Sequence, residues 1–332
     1  MSLKAIHGKV LDGTPLAQSD IRYLVDLPDH RLGEMLACAH SIRMARFGCD
    51  IGLCAIINAK SGTCSENCSF CAQSGHHGAR SPEYPLLPID EIVAAGAAAR
   101  SHGVTRFGVV ASGKMVGESD LAGYTEAVRG LAALGIAPDL SPGILDRWQL
   151  KALKQAGLKG YHHNLETSAT FFPSMCTTHA YEEDVRAVRA GLEAGLYVCS
   201  GGIFGIGETW DDRVELALLL GELGVQSVPM NFLHPIPGTP LESREVLTPA
   251  EALKIVALYR FLLPDRALRL CGGRLPVFGE ARKGELLKAG ANGLMVGDYL
   301  TTRGGDVDSD LAEIREAGLT PESFGVAEQR KV

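Results

Sequence analysis

The feature that most limits what this chain can fold into is its rhythm: short β-branched or apolar runs alternate with amphipathic stretches rich in Ala, Leu and Glu. Such alternation of strand-period and helix-period patterning signals βα units, whose strands pair in parallel across helical crossovers. Strands are expected at Cys54 to Asn58, Arg106 to Val110, Ala137 to Leu140, Gly160 to Asn164, Val198 to Ile203, Ser227 to Phe232, Leu268 to Gly272 and Gly293 to Val296. Helices are expected at Ile89 to Ser101, Glu118 to Leu134, Asp146 to Ala156, Tyr181 to Ala194, Trp210 to Leu223, Pro249 to Leu263 and Gly279 to Ala289. Gly195, Gly224 and Gly290 stand where helices should stop, and Thr248-Pro249 has the order of an N-cap followed by a first-turn proline. A doubly wound sheet uses the same units, but eight of them favour a single α/β domain of the (β/α)8 TIM-barrel class. We therefore expect the barrel over residues 49–305, an N-terminal helical extension over 1–48 with its helix at Asp20 to Phe47, and a C-terminal helix and tail over 306–332.

Composition narrows the function. The chain has 332 residues, 46% of them hydrophobic, enough for a large core, and a formal net charge of -7. Without a basic block or interleaved aromatic patch, a nucleic-acid partner has no electrostatic support. No run approaches the roughly 20 apolar residues that span a bilayer, and the N-terminus lacks the apolar core of a signal peptide, so no membrane association and a cytoplasmic location are expected. Nine cysteines in a reducing compartment point to metal or redox chemistry rather than a disulfide framework.

Three of those cysteines form a compact group, Cys64-Ser-Glu-Asn-Cys68-Ser-Phe-Cys71, in the loop after the first strand. That loop opens at the C-terminal mouth of a barrel, where active sites assemble. Three thiolates can each bind one iron of a 4Fe-4S cubane and leave the fourth iron free for an external ligand, whereas an electron-transfer cluster would be fully ligated. Structural zinc prefers four ligands, commonly as two CxxC-like pairs, and no second pair is present.

With the following Ala72-Gln73-Ser74 and the lead-in Ile57-Asn58-Ala59-Lys60-Ser61-Gly62, the motif resembles the radical S-adenosylmethionine (SAM) superfamily, and within it the biotin synthase family. The resemblance runs over nearly the whole chain. It implies that Cys64, Cys68 and Cys71 hold the 4Fe-4S cluster and that Phe70 borders the adenine of SAM. Gly205 and Gly207 look like the adenosine-binding turn, whose glycines let the backbone approach the nucleoside. Tyr161-His162-His163-Asn164-Leu165-Glu166 resembles the fourth-strand motif, giving Asn164 and Glu166 the SAM ribose and the ureido ring of dethiobiotin. Asn231 is implied as a second ureido contact, with donor and acceptor on one amide. Thr301 and Thr302 match the turn that holds the substrate carboxylate.

The family also implies a second cluster deep in the barrel as the sulfur source, and here the sequence departs from the pattern. Cys199 and Arg269 match two of its ligands, but Gly108 and Asp139 stand where the other two cysteines belong. Cys54 and Cys271 are the compensating pair, so Cys54, Cys199, Cys271 and Arg269 are expected to hold an auxiliary iron-sulfur cluster of the 4Fe-5S type rather than 2Fe-2S. Arg269 and Cys271, two apart on a strand, share a face. Asp184 replaces an arginine that would bind the SAM carboxylate, and Arg186 is the candidate to take over. Cys38, Cys49 and Cys176 read as small buried hydrophobes. The resemblance further implies sulfur insertion into dethiobiotin, a flavodoxin- or ferredoxin-type electron donor and a homodimer. Two other readings remain: a radical SAM enzyme without sulfur insertion, resembling hydrogenase maturases or methylornithine-forming enzymes, and a non-catalytic iron-sulfur or zinc protein.

Overall fold

The computed structural model of the chain describes residues 2–280, 282–302 and 304–322. Its strands are β1 (Asp50–Lys60), β2 (Arg106–Ala111), β3 (Ala137–Ser141), β4 (Gly160–His162), β5 (Tyr197–Cys199), β6 (Gly202–Phe204), β7 (Ser227–Phe232), β8 (Ala267–Leu270), β9 (Gly293–Met295) and β10 (Thr320–Pro321). They pair in parallel in the order β1-β2-β3-β4-β5-β7-β8-β9. The circle closes where Gly52, Leu53 and Cys54 pair with Gly293, Leu294 and Met295. With β5 and β6 as two halves of the fifth stave, this is the expected eight-stranded (β/α)8 barrel.

Alternation along the strands assigns the two faces. Leu53, Phe107, Val109, Leu140, Tyr161, Val198, Val228, Leu268, Leu270 and Leu294 turn outward and are buried under the helices. Their neighbours Cys54, Arg106, Asp139, His162, Cys199, Asn231, Arg269 and Cys271 turn toward the barrel axis and line a cavity. The fold is held by its outer apolar layer, and the interior is left for chemistry.

Three local departures from expectation have physical causes. The fifth stave breaks at Ser200-Gly201 because β7 presents Pro229 there, which has no N–H for the ladder. A Cβ on Gly201 would lie 2.1 Å from the Pro229 carbonyl oxygen, so only glycine fits this approach. Of the helix expected from Gly279 to Ala289 only Glu285–Lys288 forms; a separate short helix, Arg274–Phe278, precedes it and ends at Gly279, φ +65°. The N-terminal prelude is three helices, Leu3–Leu11, Gln18–Val25 and Leu32–Phe47, interrupted near Pro28. They pack a second apolar core, including Ile6, Leu24, Met35 and Ile42, against Ala257, Leu258 and Phe261 of helix Pro249–Leu262. The expected caps are present: Thr248 accepts from Glu251 N–H at 3.2 Å, and Gly195, Gly224 and Gly290 have φ of +70°, +80° and +114°. Helix Val307–Glu316 leads into β10, which pairs with the start of β1 through Asp50 and Thr320. Residues 323–332 of the expected tail lie outside the described residues. Among the described residues no helix is long and apolar enough to cross a membrane.

Arg260, fully buried, ties the helix layer to the barrel floor. It donates to the carbonyls of Gly290, Leu263, Pro264 and Arg266 and to Asn292 Oδ1 at 2.8–3.1 Å. Each buried carbonyl left without a donor costs about 1–3 kcal/mol. Arg260→Leu should therefore lose at least about 3 kcal/mol in guanidinium unfolding of the cofactor-free protein. A loss below about 1 kcal/mol would show that water replaces the guanidinium.

Candidate active site

The long connection from β1 to helix Ile89–Ser101 carries Cys64, Cys68 and Cys71 at the C-terminal mouth. Gly62 and Thr63 turn the chain at positive φ (+82° and +48°), and a Cβ on Gly62 would lie 2.5 Å from Glu83 Cγ. The residues after the motif then fasten it. Gln73 Oε1 accepts from Ser61 Oγ at 3.0 Å, Ser74 Oγ donates to Glu66 O at 2.6 Å, and His77 Nε2 meets Cys68 O at 3.0 Å. Cys71 is close enough to both Cys64 and Cys68 to interact with them electrostatically, and burial pushes Cys71 up to about 11. Three convergent thiols on a tied loop suit a three-point iron clamp.

Beside the clamp begins a cavity of about 290 Å³. It brings together Phe70, Asn164, Glu166, Asn231, Thr301 and Thr302 near the mouth and Cys54, Cys199, Cys271 and Arg269 deeper in the barrel. Phe70 packs with Ile203, Ile206 and Leu233. Asn164 Oδ1 accepts from Gly201 N–H at 3.1 Å and His162 Nε2 at 3.0 Å, and its Nδ2 faces Glu166 Oε2 at 3.4 Å. Asn231 is held by Gly202 O at 3.2 Å and Gly272 N–H at 3.1 Å. Glu166 sits at φ +66°, a strained conformation for a side chain of its size. Enclosure by protein raises its carboxyl to about 8, and burial lowers His162 to about 4. Both side chains are therefore neutral in the cofactor-free protein.

Deeper still, Cys54, Cys199 and Cys271 interact mutually and with Arg269. Burial raises all three thiols, Cys199 to about 11, while Arg269 pulls each the other way. Three thiols from three staves beside a buried cation form a donor set that suits an iron-sulfur cluster. The sequence reading missed Arg106, which bonds Asp139 through Nε at 2.9 Å and stacks 4.1 Å over the Tyr197 ring. The signal was present: Arg106 and Asp139 lie on inward positions of neighbouring strands, where a lone charge would be costly. Gly160 makes room for the pair, since a Cβ there would lie 2.2 Å from Asp139 Oδ1.

Comparison with known proteins agrees with this geometry. Residues 59–220 match the radical SAM superfamily and residues 229–320 the Biotin and Thiamin Synthesis associated domain. The biotin synthase of Syntrophotalea carbinolica is 45% identical over 96% of this chain and 97% of its own length. That of Thermodesulfovibrio yellowstonii is 45% identical over 93% of this chain and 98% of its own. The chain belongs to the biotin synthase family of radical SAM enzymes. A 4Fe-4S cluster and SAM go with that membership. The fold is shared with methylornithine synthase (TM-score 0.84, 21% identity, 97% of this chain and 99% of that one). It is shared too with the FeFe-hydrogenase maturase of Carboxydothermus hydrogenoformans (TM-score 0.80, 18% identity, 98% and 81%).

Against the family pattern, several expectations need correction. Arg186 is exposed on helix Tyr181–Glu193 and does not line the cavity; two residues from buried Asp184, it lies on the opposite side of the helix. Gly205 and Gly207 do not line it either. Their N–H groups, with that of Ile206, point at the Glu208 carboxylate (2.8–3.1 Å), which pairs with Arg213 at 2.8 Å. The turn instead delivers Ile206 to the apolar cluster around Phe70. Asp184 bonds His163 at 2.8 Å and His179 at 3.1 Å. Cys49 is exposed and Cys38 half-buried, while Cys176 is buried but not inert. It lies 3.3 Å from His179 Nδ1, and the neighbouring Cys68, ahead of Thr178 and His179, lowers its thiol to about 5.

A pH test follows from Glu166. Its folded value of about 8 exceeds the ordinary 4.5, so its contribution to stability is full below pH 4.5 and is lost as pH rises through 8. Unfolding midpoints of the cofactor-free protein should fall over this window, and Glu166→Gln should flatten the fall. An unchanged slope in the variant would mean the carboxylate is ionised in the fold.

Proposed function

We propose that the chain converts dethiobiotin to biotin by inserting sulfur between two unactivated carbons, with the sulfur drawn from an auxiliary cluster on Cys54, Cys199, Cys271 and Arg269. Membership of the biotin synthase family stands behind the reaction. The observation that carries the second cluster is the meeting of three thiols and a buried arginine at the closed end of the cavity. Gly108 and Asp139 offer no thiol, and Asp139 is already paired with Arg106, which favours a 4Fe-5S type over the 2Fe-2S type. Cys64, Cys68 and Cys71 would hold the 4Fe-4S cluster, which would supply the electron for reductive cleavage of SAM.

The protein's own residues position and exclude. Asn164 and Asn231 each present an amide to a ureido ring, and both are fixed by backbone partners before substrate arrives. Thr301 and Thr302 offer hydroxyls at the mouth for a carboxylate. Phe70, Ile203, Ile206 and Leu233 supply the apolar wall that keeps water from the reacting carbon. Holding that carbon between the clamp and the deep thiols converts a difficult encounter into a local one. The same family reading brings a flavodoxin- or ferredoxin-type donor and a homodimer.

Anaerobic reconstitution with dethiobiotin, SAM and a low-potential reductant should yield biotin and 5'-deoxyadenosine. A Cys54→Ala, Cys199→Ala, Cys271→Ala triple variant should lose the auxiliary iron and labile sulfide and all biotin formation. It should keep the SAM-dependent perturbation of the remaining cluster's electron paramagnetic resonance signal. Full sulfide in the triple variant would overturn the assignment of these ligands. Formation of 5'-deoxyadenosine on another substrate, without biotin, would favour a sulfur-free relative of the same fold.

A further inference from the structure

The turn that carries Thr301 and Thr302 is rooted firmly and held lightly. Its ends meet at its base: a Cβ on Gly304 would lie 1.7 Å from the Gly297 carbonyl oxygen, and the Gly304 N–H donates to Asp298 Oδ1 at 3.2 Å. Within the turn, the Tyr299 N–H donates to the Thr302 carbonyl at 3.0 Å. The base rests on a buried ion cluster, since a Cβ on Gly305 would lie 2.9 Å from Lys283 Nζ and 3.1 Å from Asp310 Oδ1. Asp310 pairs with Arg274 at 3.1 Å and with Lys283 at 3.4 Å, and all three are buried. These contacts fix the root and leave the tip, residues 299–302, at the cavity mouth.

Among the described residues, one hydrogen bond reaches that tip from outside the turn. Asn58 Nδ2 donates to the Leu300 carbonyl at 3.0 Å, between Tyr299 and Thr301. Asn58 continues the inward series of β1 that runs through Cys54 and Ile56, at the point where the register of β1 against β2 shifts. Its own carbonyl accepts from the Tyr84 hydroxyl at 2.8 Å, which steadies the backbone there. The amide has only one workable orientation. A carbonyl oxygen can only accept, so Nδ2 must face Leu300, and Asn58 Oδ1 is then left buried without a donor. An orphaned buried acceptor is costly, and a position that served the fold alone would lose nothing by giving up the amide.

We propose that Asn58 is a positioning residue that holds the Thr301-Thr302 turn over the cavity mouth and so sets the preference for a ligand that ends in a carboxylate. The proposal rests on the reading that Thr301 and Thr302 meet that carboxylate. Asn58 does not line the cavity and acts through the Leu300 carbonyl. Holding the tip before the anion arrives spares the entropy of ordering it on binding. Without the amide the tip stays rooted through Gly297 and Gly304 but is no longer held in place, so affinity is lost only for a ligand that uses it.

The test is anaerobic calorimetry on reconstituted protein with SAM present, titrating dethiobiotin and the alcohol in which CH2OH replaces its carboxylate. For Asn58→Ala we expect the Kd of dethiobiotin to rise about tenfold, the scale of one hydrogen bond, and the Kd of the alcohol to stay at its wild-type value. The unfolding midpoint of the cofactor-free variant should be no lower than that of wild type, because the orphaned carbonyl leaves with the donor. Equal weakening of the two ligands, which a merely structural role would give, overturns the proposal, as does no weakening of either. Should the alanine variant fail to take up its clusters, Asn58→Asp, the same shape without the N–H, takes its place with the same outcomes. A wild type that does not prefer dethiobiotin over the alcohol sinks the reading of Thr301 and Thr302 and the proposal with it. A variant that keeps the wild-type preference sinks the proposal alone.

Discussion

A closed parallel barrel must satisfy two demands with one alternating pattern, because every second residue of a strand faces outward and the others face the axis. In this chain the outward set is almost wholly apolar and is sealed by the helices, so stability is settled without the interior. The interior set is therefore free to be unusual. Cysteines, arginines, an aspartate and asparagines occupy positions that most barrels fill with branched aliphatics. The cavity exists because these side chains hold each other apart by hydrogen bonds rather than packing into a solid core.

Electrostatics inside that cavity is graded along the axis. At the deep end Arg269 and Arg106 bring two cations among three thiols; Asp139 is matched to Arg106, and the Glu322 carboxylate and Arg269 both approach Gly52. Arg269 stands beside three thiols whose ionisation burial opposes in the absence of a metal. Metal binding, which displaces thiol protons, is the event that such a site favours. At the mouth Glu166 is neutral, and His179 is paired with carboxylates on both sides. An anionic group entering from solvent meets polar amides and hydroxyls first and the buried cation last.

How much of this was legible follows from the range over which each signal acts. The strands and caps were readable because the outward apolar residues repeat at local spacing and each capping glycine acts within one turn. The clamp was readable because its three cysteines lie within eight residues. The auxiliary set was readable only through the family pattern, yet Cys54, Cys199 and Cys271 do meet. What escaped were pairings between distant segments, such as Asn67 with Thr177, where neither partner carries a mark in its own neighbourhood. Arg186 is set apart from Asp184 for the complementary reason: on a helix, two positions along is the far side, so nearness in sequence did not carry over into space.

The lacing between the clamp loop and residues 175–178 has a consequence for how the two ends of the site communicate. The same connecting segment that carries Cys176 begins at Asn164 and Glu166, tied to Gly201 on the fifth stave by the Asn164 side chain and the Glu166 N–H. Cys199, two residues before, belongs to the deep thiol set. The chain and its hydrogen bonds thus link the clamp loop, the side chains expected to meet SAM and substrate, and one thiol of the deep set. Displacing the clamp loop costs the bonds of Asn67 to Thr177 and of Ser69 to the Met175 carbonyl. Rigid registration of this kind is what a reaction passing one carbon between two fixed centres requires, because a misplacement of about 1 Å can cost about a hundredfold in rate.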